Sequence, residues 1–305
     1  MIRTRLAAAA ALATVAALAL SACSSGGDPL SSGTDESAPA GSIVIGSADF
    51  PESQLLATIY AQALTAAGVE ATTRLNIGSR EVYMPALLDG SINMLPEYTG
   101  ATLSYLTKGD SGVSSSADVA AALEKALPEG ITMLTPSEAQ DSDVLAVSKD
   151  TAAQYNLKTI EDLKPYAAEM VLGGPPEWPT RHEGVQGLQE VYGLTFKEFK
   201  ALDVGGPLTI AALSNGQIQA ADMYSTSPAM KDFVALEDNL NLFPAQNIVP
   251  IMAADKKTDQ VAEVLNKVSA ALTTQDLIDM NAKLDDQQSL DDVAAEWISA
   301  HDLGA

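Results

Sequence analysis

The sequence predicts an α/β protein built as two similar lobes, and three observations predict it. First, two distant stretches share one plan: Leu88-Asp89-Gly90-Ser91-Ile92-Asn93-Met94-Leu95-Pro96-Glu97-Tyr98-Thr99-Gly100 and Leu213-Ser214-Asn215-Gly216-Gln217-Ile218-Gln219-Ala220-Ala221-Asp222-Met223-Tyr224-Ser225-Thr226. Each reads as a helix end, a tight turn, a short buried strand and a polar loop. In each, one tyrosine stands eight positions after the turn glycine and a hydroxyl residue follows it. Upstream, Gly78 follows Leu75-Asn76-Ile77 and Gly205 follows Leu202-Asp203-Val204. Repetition at such a distance is the mark of two related units in one chain. Second, strand-like runs alternate with helical patterns, which implies a mainly parallel sheet in each unit. Third, 305 residues suit two domains of roughly 150 each. Each lobe would then end a strand with a tyrosine at its carboxyl edge, where open α/β sheets bind ligands. Two tyrosines facing across a cleft point to a binding site rather than an active site.

Taken in order, Ser42-Ile43-Val44-Ile45-Gly46 is a short strand closed by glycine. Pro51 opens a helix with Glu52 in its first turn. Leu55, Leu56, Ile59, Tyr60, Ala63 and Leu64 recur at helical spacing, and Gly68 stops the run. Residues 70–76 read as a strand. Residues 79–88 read as a helix in which Pro85 marks a kink or local irregularity. Tyr83 there suits either the core or the cleft. A short helix reaches Leu106, Ser116 caps another running to Leu127, and 131–134 and 144–148 are strand-like. The pattern then restarts. Helical pieces fall around 152–155 and 160–163, and Met170-Val171-Leu172 is a strand. Gly173-Gly174-Pro175-Pro176-Glu177-Trp178-Pro179-Thr180-Arg181 is a loop with little freedom. Helices are expected around 187–191, 196–202 and 207–213. Asn247 to Met252 is the last strand; Pro250 cannot donate to a ladder, so an edge position or a bulge is expected. Three amphipathic helices near 261–272, 276–284 and 290–298 close the chain, with Trp297 and Ile298 packed on the first lobe.

The start of the chain reads as a processing signal. Arg3 and Arg5 precede the apolar run Leu6 to Leu20, and then come Ser21, Ala22 and Cys23. The only cysteine of the chain directly follows small residues, which resembles a bacterial lipobox. The expectation is a signal peptide over 1–22, a diacylated Cys23 anchoring the protein to the outer face of the cell membrane, and a flexible tether over 23–41, rich in Ser, Gly, Asp and Pro. A lipidated Cys23 leaves no thiol for a disulfide, metal or catalysis.

Net charge is −23, from 40 acidic against 17 basic residues. Such a surface repels phosphate backbones and argues against nucleic-acid binding. Tyrosine faces favour a cation: a desolvated quaternary ammonium gains about 2 kcal/mol per aromatic contact and needs no hydrogen bond. Arg181 reads either as a bidentate clamp on a carboxylate or as a surface ion pair. Trp178 reads either as a cleft residue or as a plug closing its loop. His182 and His301 are far apart, so no metal site is expected, and no Walker loop, nucleophile elbow or dinucleotide fingerprint calls for a cofactor. A competing reading is a secreted hydrolase using the carboxylates of Glu97 and Asp222, though no nucleophile–base pattern accompanies them. A third keeps the fold and changes the cargo to a non-ammonium solute.

Ile45-Gly46-Ser47-Ala48-Asp49-Phe50-Pro51-Glu52, Pro96-Glu97-Tyr98-Thr99-Gly100, Gly173-Gly174-Pro175-Pro176-Glu177 and Tyr224-Ser225-Thr226 resemble the extracellular substrate-binding proteins of ABC importers for glycine betaine, choline and related osmoprotectants. The resemblance runs from about Ile43 to the C-terminus. It implies a two-lobed, periplasmic-binding-protein-like fold (type II), each lobe a mixed, mainly parallel sheet flanked by helices, joined by a two-stranded hinge. Lobe 1 would comprise 42–145 and 249–305 and lobe 2 would comprise 146–248, with crossings near 143–147 and 247–252. It further implies a monomer, not an enzyme, that hands its ligand to a permease and its ATPase. Carried over by position, Tyr98 and Tyr224 resemble members of an aromatic cage and Arg181 a carboxylate partner, with Phe50, Ser53, Thr99, Asp143, Trp178 and Ser225 as further ligand-binding candidates. The chain departs from the family pattern in four places. Many members have lysine at Ala48, threonine at Ala101, glutamine at Ser53 and a cage tyrosine at Asp143. An acidic side chain at 143 favours a cation without a carboxylate, such as choline, and Arg181 pulls the other way unless the two neutralise each other.

Overall fold

The computed structural model describes residues 42–304 apart from Asp110; the expected signal peptide over 1–22, Cys23 and the tether over 23–41 lie outside the described residues. The chain begins β1 (Ile43–Gly46), α1 (Pro51–Ala66), β2 (Ala71–Arg74), α2 (Arg80–Leu88), β3 (Met94–Tyr98), α3 (Thr99–Thr107), α4 (Ser116–Ala126) and β4 (Ile131–Met133). It continues through β5 (Asp143–Ser148), α5 (Lys149–Tyr155), β6 (Val171–Gly174), α6 (Gly187–Tyr192), β7 (Glu198–Ala201), α7 (Pro207–Ser214), β8 (Ala220–Tyr224) and β9 (Phe233–Ala235). It returns with β10 (Ile248–Ala253), α8 (Asp259–Ala271), α9 (Thr274–Asp285) and α10 (Leu290–Ala300).

The strands form two five-stranded sheets, ordered β2-β1-β3-β10-β4 and β7-β6-β8-β5-β9. In both, the first three strands run parallel and the last two are joined by antiparallel pairing. The two sheets are therefore copies of one topology, as the repeat implied. The turn glycines Gly90 and Gly216 both take left-handed backbone, φ 81° and 68°. Each sheet is covered on both faces. Along β10, Ile248 and Met252 face the core under α1 and α8 to α10, while Val249 and Ile251 face the core under α2 to α4. Trp297 and Ile298 pack in the first of these cores, as expected.

Four expectations are corrected. β10 is an interior strand, not an edge, and Pro250 lies opposite Pro96. Thr99 N–H bonds Asn247 O and Ala253 N–H bonds Asn93 O, so bonded pairs alternate and Pro96–Pro250 falls at a non-bonded one. Neither missing donor is needed between these strands. On its other side Pro250 only accepts, from Leu134 N–H, just past the end of β4. Second, 196–202 holds a strand rather than a helix. Lys197 N–H bonds Met170 O and Leu202 N–H bonds Gly174 O, so β6 recruits it as an edge strand, and Lys197, Glu198 and Lys200 keep that edge polar. Third, β5 pairs with β8 from Asp143↔Tyr224 onward, and Ile248 already pairs with Tyr98. The crossings therefore precede both strands, and residues 143–145 belong with the second sheet. The bridge itself is polar: Gln140 pairs with Asn247, and Asp141 N–H bonds Gln246 O. The cap of α4 is Ser115, one residue before the expected Ser116.

Candidate ligand-binding site

β3 and β8 occupy equivalent places in their sheets, and each delivers a tyrosine at its end, Tyr98 and Tyr224. Phe50 precedes α1 in extended backbone, φ −122° and ψ 154°. Its ring lies between the tyrosines. Its centroid is 6.0 Å from that of Tyr98, with planes at 36°, and 5.9 Å from that of Tyr224, with planes at 10°. Gly205 takes φ +64°, and a methyl built there would come within 3.0 Å of the Tyr224 ring. That glycine is where the second lobe's backbone must approach its tyrosine closely. These rings and Tyr83 line an inner cavity of about 50 Å³ together with Ala48, Ala101, Asp141, Asp143, Arg181 and Glu183. That is room for a few waters, so a larger solute requires the lobes to part.

The site is rich in buried acid. Glu52 accepts from Tyr98 Oη at 2.8 Å, from Thr226 Oγ1 at 2.7 Å and from Asn281 Nδ2 at 2.6 Å. One carboxylate thus ties a ring of the first lobe to a hydroxyl of the second. Burial pushes Asp143 up to about 6, and the charge of Glu183 adds to this, against Arg181, Arg80 and a hydrogen bond from Gln246. Asp141 is pushed well above the usual range by burial and then by Glu52. Asp222 is fully buried, and burial and then Asp143 raise it well above the usual range. Neither Asp222 oxygen meets a donor, so a bond to Asp143 requires a proton shared by the two carboxyls.

The cations are already matched. Arg80 makes a buried two-point pair with Glu97 at 3.1 and 2.9 Å. Arg181 grips Glu81 of α2 at 3.2 and 3.0 Å, across the cleft, and Glu177 at 3.3 Å. Burial alone would raise Glu81, but its bonds to Arg181 and the guanidinium charge bring it down to about 2. Arg181 is thus both a wall of the cavity and a clasp between lobes. Asp143 is not its direct partner.

Of the candidates read from the sequence, Phe50, Tyr98, Asp143, Arg181 and Tyr224 converge on the cavity. Four do not line it. Ser53 Oγ accepts from Ala48 N–H at 3.0 Å. Thr99 Oγ1 donates to Ala245 O and accepts from Asn247 N–H, both 3.0 Å, at the hinge. Ser225 Oγ accepts from Ser142 N–H at 2.9 Å and donates to Asp141 at 3.2 Å. Trp178 is 1% exposed and lies in the second lobe's core, where a plug belongs. Arg80, Glu52, Asp141, Glu183 and Gln246 were missed; scarcity of basic residues was the one signal for Arg80. Glu97 and Asp222, the pair a hydrolase would need, are both fully buried, and neither lines the cavity.

The family model OpuAC, the substrate binding domain of ABC-type glycine betaine transport system, matches residues 41–300. The chain belongs to this family. Its members bind solutes for transport. Among curated relatives, a glycine-betaine-binding protein of Pseudomonas aeruginosa is 26% identical over 282 residues, covering 87% of this chain and 90% of that one. A carnitine transport binding protein of Listeria monocytogenes is 25% identical over 252 residues, covering 80% and 81%. A crystal structure described as a glycine betaine/carnitine/choline ABC transporter superposes with TM-score 0.68 at 22% identity, covering 86% of this chain and 100% of the other, which supports the two-lobed fold.

Proposed function

We propose that this protein captures a small quaternary ammonium compound between its lobes and delivers it to an ABC permease and its ATPase, with Cys23 as its lipid anchor on the outer face of the cell membrane. The observation that carries the reading is the inner cavity, where Phe50, Tyr98 and Tyr224 rings from both lobes meet beside Asp141, Asp143 and Glu183. Aromatic faces and acids together stabilise a desolvated cation. Arg181 spends its donors on Glu81 and Glu177, so a ligand carboxylate meets a cation whose charge is already balanced. The preferred cargo is therefore a cation without a carboxylate: choline over glycine betaine. Calorimetry with both on the processed chain tests this. Choline should bind more tightly, and Tyr98→Ala or Tyr224→Ala should weaken it at least tenfold, about 1.4 kcal/mol. No binding of either compound would refute the ligand class. Metabolite extracts that give a tight non-ammonium ligand would favour the changed-cargo reading.

A further inference from the structure

Behind Phe50 and Tyr224 the cleft widens into a second cavity of about 460 Å³. Both rings, with Asp141 and Val204, face both spaces. The outer wall is otherwise largely apolar: Pro51 from the first lobe meets Pro207, Ile210, Ala211 and Pro228 from the second. Its acidic groups are Glu52, Asp141 and Asp285, and among the described residues no lysine or arginine lines it. Glu52 is occupied by Tyr98, Thr226 and Asn281, so it offers no strong site of its own. The opposite mouth of the inner cavity differs: Lys108, Arg181, His182, Glu81 and Glu190 make it polar and mixed in charge.

As the lobes stand, the inner space of about 50 Å³ holds a few waters, so the lobes must part even for a compact head group, and little room is left there for a substituent. An anionic substituent would meet the carboxylates of Glu52, Asp141 and Asp285 and, among the described lining residues, no cation, only the neutral Thr226, Ser227 and Asn281, and a strongly polar one would desolvate against prolines and Ile210. We propose that the physiological ligand is a quaternary ammonium carrying an apolar substituent, its head in the inner cavity and its substituent in the outer one. The Phe50–Tyr224 stack then grips the junction between the two parts. This deepens the function proposed above and rests on it.

The test is calorimetry on the processed chain, residues 23–305, with tetramethylammonium, choline, butyltrimethylammonium and hexyltrimethylammonium. Burying a methylene is worth about 0.8 kcal/mol, so each added carbon should tighten Kd about fourfold until the outer space is filled. Ala211→Glu, on an exposed position of α7 that lines the outer cavity and not the inner one, should abolish the gain for the hexyl probe and leave tetramethylammonium, which has no substituent to place there, within about twofold. Ile210→Ser should reduce the gain in the same direction. Choline binding with flat or falling affinity along the series overturns this inference and leaves the proposed function standing. A gain that survives Ala211→Glu and Ile210→Ser also overturns it, because the substituent then lies elsewhere. Silence from every probe overturns both.

Discussion

The Asp143 carboxyl should make ligand capture depend on pH. In the empty protein burial, and then the charge of Glu183, push it up to about 6, against Arg181 and Arg80. A bound cation reverses that balance and draws the proton off. If binding restores the carboxyl to its ordinary value of 3.8, linkage makes Kd about tenfold weaker at pH 5 than at pH 7.5. At pH 6 about half a proton should leave per ligand bound, which titrations in two buffers of different ionisation enthalpy measure directly. Asp143→Asn should make the curve shallower, leaving the part that Asp141, raised in the same cavity, contributes. The unliganded protein should trend the other way. Its folded pKa lies above the unfolded value, so the folded state holds the extra proton between 3.8 and about 6. That contribution to stability, about 3 kcal/mol at most, is present below the window and lost as pH rises through it. Equal Kd at pH 5 and 7.5, or a slope as steep in the Asn variant as in the parent protein, would refute the reasoning.

Other perturbations probe the clasp, the hub and the ring support. Glu81→Gln releases Arg181 from its charged two-point partner; glycine betaine should gain about tenfold relative to choline, the worth of one charge-assisted bond, in paired titrations. Glu52→Gln gives up one acceptor oxygen among three donors and should cost about 1–3 kcal/mol, seen as a lower urea midpoint at unchanged slope. Gly205→Ala forces a methyl into a left-handed position 3.0 Å from the Tyr224 ring; choline affinity should fall about tenfold while the far-ultraviolet circular dichroism stays native.

The parts of this molecule that sequence reading reached are those set by local chemistry. A tight turn demands glycine at 90 and 216, and strand length then decides where Tyr98 and Tyr224 emerge, so the repeat and the two-ring site were both legible. What escaped depended on partners far along the chain. Phe196 and Phe199, three apart, fit a helical face, and only the exposed edge of β6 draws Glu198–Ala201 into a strand instead. Pro250 was misjudged because its tolerance depends on Pro96, which pairs with it at a non-bonded position. Arg181 showed as a scarce cation in a stiff loop, but its partner Glu81 lies 100 residues away on the other lobe. Ser53, Thr99 and Ser225 do not line the cavity: their hydroxyls serve backbone groups or Asp141, a choice that spacing does not reveal.

The strand order also says when each half of the molecule can be finished. Every strand of the second sheet comes from one uninterrupted stretch, Asp143 to Ala235. The first sheet is different: β10 is wedged between β3 and β4, and among the described residues β4 has no other neighbour in the sheet. A chain emerging from its N-terminus therefore holds β3 and β4 with open edges until residues 248–253 arrive. The half that starts first is completed last, and in that interval its bare strands are the segment most in need of a chaperone.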